Sequence, residues 1–392
     1  MHRLAFLLAT AIATAAIAGP LTPPAGPPAP TNKTLQQVEP RTPVANTSTT
    51  IIIDQPGSYD LTDDITSDAD GIRILTDGVT LDLNGFAVIG GPDSPSSDTG
   101  IDIRTNFEPR PVIVRNEAVV GFTDEGVLAN SSDNTVQINT VHVRACGIGF
   151  RVFGAAILKD CTARACDGDG FETASLFQTT FNRCHALNNT GDGFRALSTA
   201  TLTSCTARRN ANGFNLGEVM VAAHCAATDN TLSGYVTGKG ATLTACVARD
   251  NGGGGLVAGE ACVFRDCLAR ANTLDGFLVG AGSSIDACTA TTNGEDGFAL
   301  GFDCRISNSS AEGNGSAGSD FAGIRGNSDC TIDHNTATDN PTGMIAGGGA
   351  LLIRNTAAGN TTAYDTAGAR FGLVITPGAG FSEPNSFANI AY

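Results

Sequence analysis

Residues 276–298 read GFLVGAGSSIDACTATTNGEDGF, and this pattern decides the fold. A Gly-Phe step is followed twelve residues later by Cys, then by Ala and Asn, and the next Gly-Phe step begins after 21 residues. The same order recurs throughout residues 193–293. Repeats of roughly 20 to 50 residues are typical of solenoids, in which each repeat packs on its neighbours.

Each repeat predicts one coil of three short strands. The first strand begins at the Gly-aromatic step, the second leads to an apolar residue three positions before the Cys, and the third carries Cys-x-Ala. Steps of this kind open coils at Gly71, Gly100, Gly126, Gly149, Gly170, Gly193, Gly213, Gly234, Gly255, Gly276, Gly297, Gly323 and Gly343. The sequence therefore predicts an all-β chain: a three-sided, single-stranded parallel β-helix of about 13 coils of about 21 residues. A right-handed parallel β-helix is expected by fold-level analogy, which the right-handed bias of parallel crossovers supports.

Stacking of equal coils also predicts columns of identical residues. The Asn column is expected at a corner, because Asn tolerates left-handed backbone angles and stacked amides hydrogen-bond to one another. Its members are Asn189, Asn210, Asn230, Asn251, Asn272, Asn293, Asn314, Asn340 and Asn360.

Seven of the twelve Cys residues form a second column. In-register parallel strands lie about 4.8 Å apart, which is wide for the Cβ atoms of a disulfide. The column is therefore expected to stay largely reduced and to fill the core. It comprises Cys161, Cys184, Cys205, Cys225, Cys246, Cys267 and Cys288. The predicted disulfides are Cys146–Cys166 and, next, Cys304–Cys330, because each pair joins neighbouring coils at matching repeat offsets.

The ends of the chain differ from the repeats in composition. Residues 1–18 have a basic start, an apolar segment and a small-x-small site, which is typical of a secretory signal peptide. Residues 19–50 form a Pro-rich linker and lead-in, residues 51–375 the β-helix, and residues 376–392 a C-terminal cap or tail. The protein is therefore expected to be secreted or held at the cell surface, without a membrane span.

The net charge is −16, with 39 acidic and 23 basic residues. Nucleic-acid binding needs a basic footprint, so this balance argues against a nucleic-acid partner. We predict no metal and no cofactor, because the Cys and His spacing of zinc sites and the calcium nonapeptide are missing. Several Asp residues precede a Gly and are interpreted as turn formers: Asp169, Asp192, Asp275 and Asp296.

One basic stripe interrupts the acidic composition. The outward positions of the third strands carry His142, Arg144, Arg164, His185 and Arg208 within four coils, and Arg249 and Arg270 continue the stripe. Arg can hold carboxylate or sulfate groups bidentately, so the stripe predicts binding of an acidic polysaccharide or cell-surface glycan. The alternative is a solvated, salt-bridged face. A second column, Arg151, Glu172 and Arg195, alternates in sign and predicts a surface ion-pair ladder.

The motifs resemble a known superfamily. The Gly-Phe and Asn columns, with Leu-Asp-Leu-Asn-Gly at residues 81–85, are similar to the pectin-lyase-like right-handed β-helices. Glu-Pro-Arg-Thr-Pro at residues 39–43, ahead of Gln-Pro-Gly-Ser-Tyr at residues 55–59, resembles the opening of exported bacterial β-helix-repeat proteins. The superfamily includes pectate lyases, polygalacturonases, epimerases, tailspikes and adhesins, so the resemblance implies a fold and leaves function open.

The catalytic motifs of those enzymes are missing. No Gly-His-Gly or Arg-Ile-Lys occurs, and Ile332-Asp333-His334 matches only the last three residues of the Trp-Ile-Asp-His segment of pectate lyases. Ile332 belongs to the apolar column of the repeat, which favours an ordinary strand position for the residues after it. The predicted function is an exported scaffold or surface protein, able to bind anionic polysaccharide, without a recognisable catalytic site. The alternative is a polysaccharide lyase or glycoside hydrolase that acts on an acidic glycan through a non-standard site.

Overall fold

The computed structural model describes residues 41–92, 97–105, 110–131, 135–174, 177–366, 368–375 and 387–392. The chain divides into two units after Pro40. The first unit, with the predicted signal peptide and most of the predicted linker, lies outside the described residues, as does most of the predicted tail. In the described part of the second unit, every regular element is a β-strand.

Fifteen coils build three parallel faces. Face 1 holds the strand that follows the Gly-aromatic step of each coil, and it is a separate sheet of 15 strands. Faces 2 and 3 hold the second and third strands and join into one sheet of 30 strands. They join because Val112–Val120 and Val136–Arg144 run without a break around the corner between them.

The strands of each face follow in stacking order. Face 1 comprises Ile51–Ile53, Ile72–Ile74, Ile101–Arg104, Glu125–Asn130, Ile148–Val152, Phe171–Thr173, Phe194–Ser198, Phe214–Glu218, Tyr235–Thr237, Leu256–Ala258, Phe277–Val279, Phe298–Leu300, Ala322–Gly326, Thr342–Ala346 and Thr362–Asp365. Besides the two long strands, face 2 comprises Thr42–Val44, Gly57–Leu61, Val79–Asp82, Ala156–Lys159, Thr179–Asn182, Ala200–Thr203, Val221–Ala223, Thr242–Thr244, Val263–Arg265, Ser284–Asp286, Arg305–Ser307, Thr331–Asp333, Leu351–Ile353 and Arg370–Phe371. Face 3 comprises Ile65–Ser67, Val88–Gly90, Thr162–Arg164, His185–Leu187, Thr206–Arg208, Ala226–Thr228, Val247–Arg249, Leu268–Arg270, Thr289–Thr291, Ser310–Glu312, Thr336–Thr338, Thr356–Ala358, Asn389–Ala391 and Val374–Ile375.

The predicted parallel β-helix is confirmed, with two more coils than the Gly-aromatic steps mark. The extra coils are the first and the last, which contain Ile51–Ile53 and Thr362–Asp365. Between them the Gly column is required sterically: a Cβ on Gly276 would lie 2.6 Å from the Gly297 carbonyl oxygen of the next coil. In the last coil Ala363 takes the Gly position, and no later strand of face 1 is described. The sequence signal is therefore lost where no further coil packs against it.

Aromatic rings stack through the interior, one ring in each of five consecutive coils. Neighbouring ring centroids lie 4.6 to 4.9 Å apart, which is close to the coil rise. The stack comprises Phe150, Phe171, Phe194, Phe214 and Tyr235, all fully buried. Offset stacking of this kind adds about 0.5 to 1.5 kcal/mol per pair beyond the burial of apolar area.

The predicted Asn column is a continuous amide ladder at the corner between faces 3 and 1. Asn230 Nδ2 donates to Asn251 Oδ1 at 2.9 Å and to the Ala207 carbonyl oxygen at 3.3 Å, and the pattern repeats in each coil. One expectation is wrong: the left-handed residue is the one before each Asn, as in Arg209 and Asp229 with φ of 56° and 55°. The left-handed residue turns the chain, which leaves the amide free to point inward.

All twelve Cys residues are unpaired and buried. The seven-member column lies at the corner between faces 2 and 3, where thiols donate to carbonyl oxygens, as Cys184 does to Leu158 at 3.4 Å. The predicted disulfides are wrong. Their thiols donate instead to backbone carbonyl oxygens: Cys146 to Arg144, Cys166 to Arg164, Cys304 to Gly280 and Cys330 to Gly301.

The Cys column continues as polar residues toward the end of the solenoid. The Cys288 N–H donates to Ser309 Oγ at 3.1 Å, and the Ser309 N–H donates to Asn335 Oδ1 at 2.9 Å. Asn355 and Asn389 extend the same line with amide bonds. The corner between faces 2 and 3 is therefore one hydrogen-bonded column that begins with thiols and ends with amides.

Candidate functional site

The predicted basic stripe lies on the outer surface of face 3, in two neighbouring columns. His142 and His185 belong to the first column, with Thr162 between them. Arg144 stacks directly on Arg164 in the second column. Arg208 lies two coils beyond Arg164, with Leu187 between them. The structure thus brings the five predicted residues onto one face, and their binding role remains a prediction.

Two arginines of the stripe, Arg208 and Arg249, are neutralised by a carboxylate, and the others have no ion pair in the described part of the chain. Arg144 and Arg164 are exposed, and neither guanidinium group forms an ion pair with any residue that the structure describes. Arg208 Nε lies 2.8 Å from Asp229 Oδ2, a residue of the adjacent left-handed corner. Arg270 is also exposed and has no ion-pair partner among the described residues, so Arg144 and Arg164 are distinguished as two uncompensated arginines in consecutive coils.

Farther along the stripe, the His185 ring and the Arg249 guanidinium group also have polar partners. His185 Nδ1 lies 2.6 Å from Thr206 Oγ1 of the next coil. Arg249 Nε lies 3.0 Å from Asp250 Oδ2. Sequence reasoning missed both Asp partners, because they belong to the left-handed corner column and not to the strand that carries the arginines.

The predicted ion-pair ladder on face 1 is present. Arg151 Nε lies 2.8 Å from Glu172 Oε2, and Arg195 Nη1 lies 3.7 Å from Glu172 Oε1. Arg151 Nη1 also reaches Glu125 Oε1 at 2.5 Å, although burial raises the pKa of the Glu125 carboxyl. These charges compensate one another, so this part of face 1 offers little free charge to a ligand.

Carboxylates form a second ladder at the corner between faces 3 and 1. Asp169 Oδ1 accepts the Asp192 N–H at 2.7 Å, and Asp275 Oδ1 accepts the Asp296 N–H at 2.9 Å. Burial is the main cause that raises the pKa of Asp169 and raises that of Asp275 to about 6, and the next Asp in the column adds to both. Arg325 Nε lies 2.5 Å from Asp296 Oδ2 and neutralises that carboxylate.

The Asp ladder has more than the predicted role in turns. Its members accept hydrogen bonds from the next coil, and burial there raises the pKa of Asp275. The signal in the sequence was an Asp before Gly in two successive coils, which places one carboxylate above another. No cluster of three or more metal-ligating side chains occurs in the described ranges.

The Asp333-His334 pair occupies a structural corner. Arg354 binds the Asp333 carboxylate through two of its nitrogens, one of them at 2.8 Å. His334 is exposed and left-handed, with φ of 59°, and its Nδ1 lies 3.7 Å from Asp333 Oδ1. The arrangement agrees with an ordinary position in the repeat.

Two grooves lie elsewhere on the solenoid. A groove of about 540 Å³ borders the insertion after Asn314, and another of about 420 Å³ lies beside Val219 and Val221. Neither is lined by a residue of the basic stripe.

Comparison with known proteins identifies the fold. A family model described as a right-handed β-helix region matches residues 64–211. No curated protein sequence matches the chain. Among the described residues, no helix could cross a membrane.

Several solved structures are similar, at low identity. The A-module of mannuronan C-5 epimerase AlgE4 from Azotobacter vinelandii is 13% identical, with a TM-score of 0.46 and coverage of 82% of this chain and 91% of that one. Pectate lyase Pel9A is 15% identical, with a TM-score of 0.42 and coverage of 52% and 70%. The tailspike gp49 of Acinetobacter baumannii bacteriophage Fri1, a capsular polysaccharide depolymerase, is 9% identical, with a TM-score of 0.34 and coverage of 85% and 62%. By its strand order and the family-model match, the protein is a right-handed parallel β-helix.

Proposed function

We propose that this protein is an exported, non-catalytic β-helix that binds an extended anionic polysaccharide along face 3. The observation that carries the proposal is the Arg144–Arg164 pair, two exposed guanidinium groups in consecutive coils without an ion-pair partner among the described residues. In a protein of net charge −16, adjacent uncompensated arginines are repelled by one another and favour an external anion.

Most of the described arginines off the stripe are compensated. Nine of them contact a carboxylate: Arg41, Arg73, Arg104, Arg115, Arg151, Arg183, Arg195, Arg325 and Arg354. A charge that is already paired has little to gain from a ligand. Arg144 and Arg164 are available, and the planar guanidinium group matches carboxylate and sulfate oxygens bidentately.

The spacing of the stripe suits a polymer. Stacked strands lie about 4.8 Å apart, so outward side chains recur along the solenoid at a distance close to one sugar residue of an extended glycan. Arg144 and Arg164 would then meet successive acidic groups, and Arg208, two coils beyond Arg164, would meet the next group but one. His142 and His185 lie beside them in the neighbouring column. Screening by salt should weaken these surface contacts, because the Debye length is about 8 Å at physiological ionic strength.

Binding without catalysis is favoured by the carboxylates near the stripe. Glycoside hydrolysis commonly uses two carboxyl groups that flank the scissile bond. Asp229 and Asp250 are the acids that contact stripe arginines, and each is engaged by its Arg. The acids with raised pKa, Glu125, Asp169 and Asp275, belong to face 1 and its preceding corner.

Removal of the stripe arginines tests the proposal. The variant Arg144→Ser, Arg164→Ser, Arg208→Ser should bind polygalacturonate or alginate about tenfold more weakly than the parent, because each exposed charge contact contributes about 0.2 to 1 kcal/mol. Isothermal titration at low and physiological salt measures the difference. The matched control removes three face 2 charges, with Lys159→Ser, Arg265→Ser and Arg305→Ser, and should bind like the parent. Equal binding by both triple variants, or no binding by the parent, would contradict the proposal.

One observation favours the enzymatic alternative. Asp275, with a pKa of about 6 beside Asp296 and Arg325, has the protonation behaviour of a general acid or base for a polysaccharide lyase or hydrolase. A panel of acidic glycans, assayed for unsaturated and reducing-end products, tests this alternative. Turnover by the parent that is lost in Asp275→Asn would replace the binding proposal with a catalytic one.

A further inference from the structure

The last strand, Asn389–Ala391, lies in face 3 out of chain order. It pairs in parallel with Thr356–Ala358 on one side and with Val374–Ile375 on the other. The other strands of this face pair with the strands of the preceding and following coils. Two earlier strands therefore flank a slot that is one strand wide, and a later segment fills it.

Backbone hydrogen bonds hold the strand on both sides. The Ile390 N–H donates to the Asn355 carbonyl oxygen at 2.8 Å, and the Tyr392 N–H donates to that of Ala357 at 3.0 Å. On the opposite side, the Asn389 N–H donates to the Leu373 carbonyl oxygen at 2.7 Å. The slot thus provides donors and acceptors for an extended peptide in one register.

Side chains add specificity to the slot. Asn389 is fully buried, its Oδ1 accepts the Asn355 N–H at 2.9 Å, and its Nδ2 donates to the Leu352 carbonyl oxygen at 3.1 Å. It is therefore the last amide of the column that begins with thiols. Two positions later, Ala391 pairs with Ala357 in the Ala column and is largely buried. The buried Asn389 is therefore the side chain that the slot holds by specific hydrogen bonds.

We propose that this slot is a strand-acceptor site and that a second copy of the chain can fill it with its own segment Phe387–Tyr392. Thr356–Ala358 also pairs with Thr336–Thr338, so this wall of the slot forms from residues that do not include the inserted strand. Val374–Ile375, whose described partner is the inserted strand, closes the slot once that strand is in place. Every contact above is the same whether the segment comes from its own chain or from another. Exchange of an identical element is a low-cost route to a dimer, and the added strand binds by β-augmentation.

The chain's own segment competes with that of a second copy for the slot, and this competition sets the ratio of monomer to dimer. Insertion of the chain's own segment is intramolecular and has a high effective concentration, so the monomer dominates in dilute solution. The exchanged dimer should increase with protein concentration and after refolding at high concentration. It should vanish when the segment cannot act as a strand.

A peptide experiment on the full-length chain tests the acceptor. The variant Asn389→Pro loses the rung amide and the N–H that donates to Leu373, so its own segment should leave the slot. A synthetic peptide of residues 387–392 should bind this variant and raise its melting temperature toward that of the parent. The same peptide with Ala at the Asn389 position should bind at least about tenfold more weakly, because a buried hydrogen-bonded rung is lost.

Two results would overturn the proposal. One is a folded Asn389→Pro chain that does not bind the peptide; if that variant fails to fold, Asn389→Ala replaces it in the same assay. The other comes from light scattering after refolding of the intact protein at high concentration. A concentration-dependent dimer that is lost in Asn389→Pro is expected. A parent that stays monomeric, or a dimer that persists in Asn389→Pro, would exclude exchange of this segment.

Discussion

The same coils have an Asn amide at one corner and a Cys thiol at another, and the two side chains bond to neighbouring coils in different ways. Asn251 Nδ2 donates to Asn272 Oδ1 at 2.8 Å and to Ala227 at 3.3 Å, and its own Oδ1 accepts the Asn230 N–H at 3.1 Å. In that coil, Cys246 fills the other corner, and its thiol donates to the Ala222 carbonyl oxygen at 3.5 Å. The amide links coils on both sides with strong bonds, whereas the thiol supplies volume and a weak donor. Each corner holds a small side chain that bonds to the preceding coil. The Asn amide contributes more hydrogen-bond energy to this contact than the Cys thiol does.

The largest expected effect comes from breaking the amide corner. Asn251→Ala leaves the buried Asn230 N–H and the Ala227 carbonyl oxygen without their partners, at a cost of about 2 to 4 kcal/mol in the free energy of unfolding. Denaturant unfolding followed by circular dichroism measures the change. A loss below about 1 kcal/mol would show that the amide ladder contributes little to the free energy of unfolding.

The thiol corner of the same coil should respond less. Cys246→Ala removes one buried sulfur and a weak hydrogen bond, and is expected to cost about 1 to 2 kcal/mol, mainly as a cavity. The comparison with Asn251→Ala is internally controlled, because both residues occupy one coil. If the Cys variant were the less stable of the two, thiol packing and not amide bonding would dominate the corners.

Replacing one carboxylate of the Asp ladder by an amide should stabilise the protein. The folded pKa of Asp275 is about 6, raised mainly by burial, so the stability from its protonated form is present below the ordinary value of 3.8 and is lost as pH rises through about 6. Asp275→Asn should therefore gain about 1 kcal/mol at pH 7, after allowance for solvent screening, and almost nothing at pH 4. Melting temperatures at both pH values measure this, with the exposed Glu312→Gln as the control. A gain of equal size at pH 4 would point to packing instead of charge.

The smallest effect is expected for columns that face outward. The triple variant Arg144→Ser, Arg164→Ser, Arg208→Ser should change the free energy of unfolding by less than about 0.5 kcal/mol, because exposed substitutions away from packed features rarely matter more. Thermal unfolding of the triple variant and the parent gives the comparison. A large loss would mean that the stripe serves the fold rather than a ligand.

The periodic part of the fold was predictable because each repeat meets a copy of itself one coil away. The Gly, Phe, Ala and Asn columns are visible in the sequence for that reason, and so is the outward position of Arg144 and Arg164. Features that break the period were not predictable. Asn389 follows Asn355 in the ladder after 34 residues, whereas Asn355 follows Asn335 after 20. The repeat spacing therefore does not predict the position of Asn389.

The site was less predictable than the fold, and the reason is local. Whether an outward Arg is free depends on the left-handed corners beside it: Arg208 pairs with Asp229 of the next coil, whereas the corners beside Arg144 are the uncharged Ala145 and Ala165. The corner tolerates many residue types, so its composition does not follow the repeat. The raised pKa of Asp275 likewise depends on burial, which spacing alone does not give.

The aromatic stack makes the middle of the solenoid visible to spectroscopy. The chain has no Trp and only four Tyr, and Tyr235 ends the stack, fully buried against Phe214. Burial raises the pKa of its phenol well above the ordinary value, so the ring ionises in alkali only when the coils around it open. Tyrosinate absorbance therefore separates this residue from exposed Tyr392. Burial also raises the pKa of Tyr364, so a Tyr364→Phe chain reports the opening of the central coils without any label.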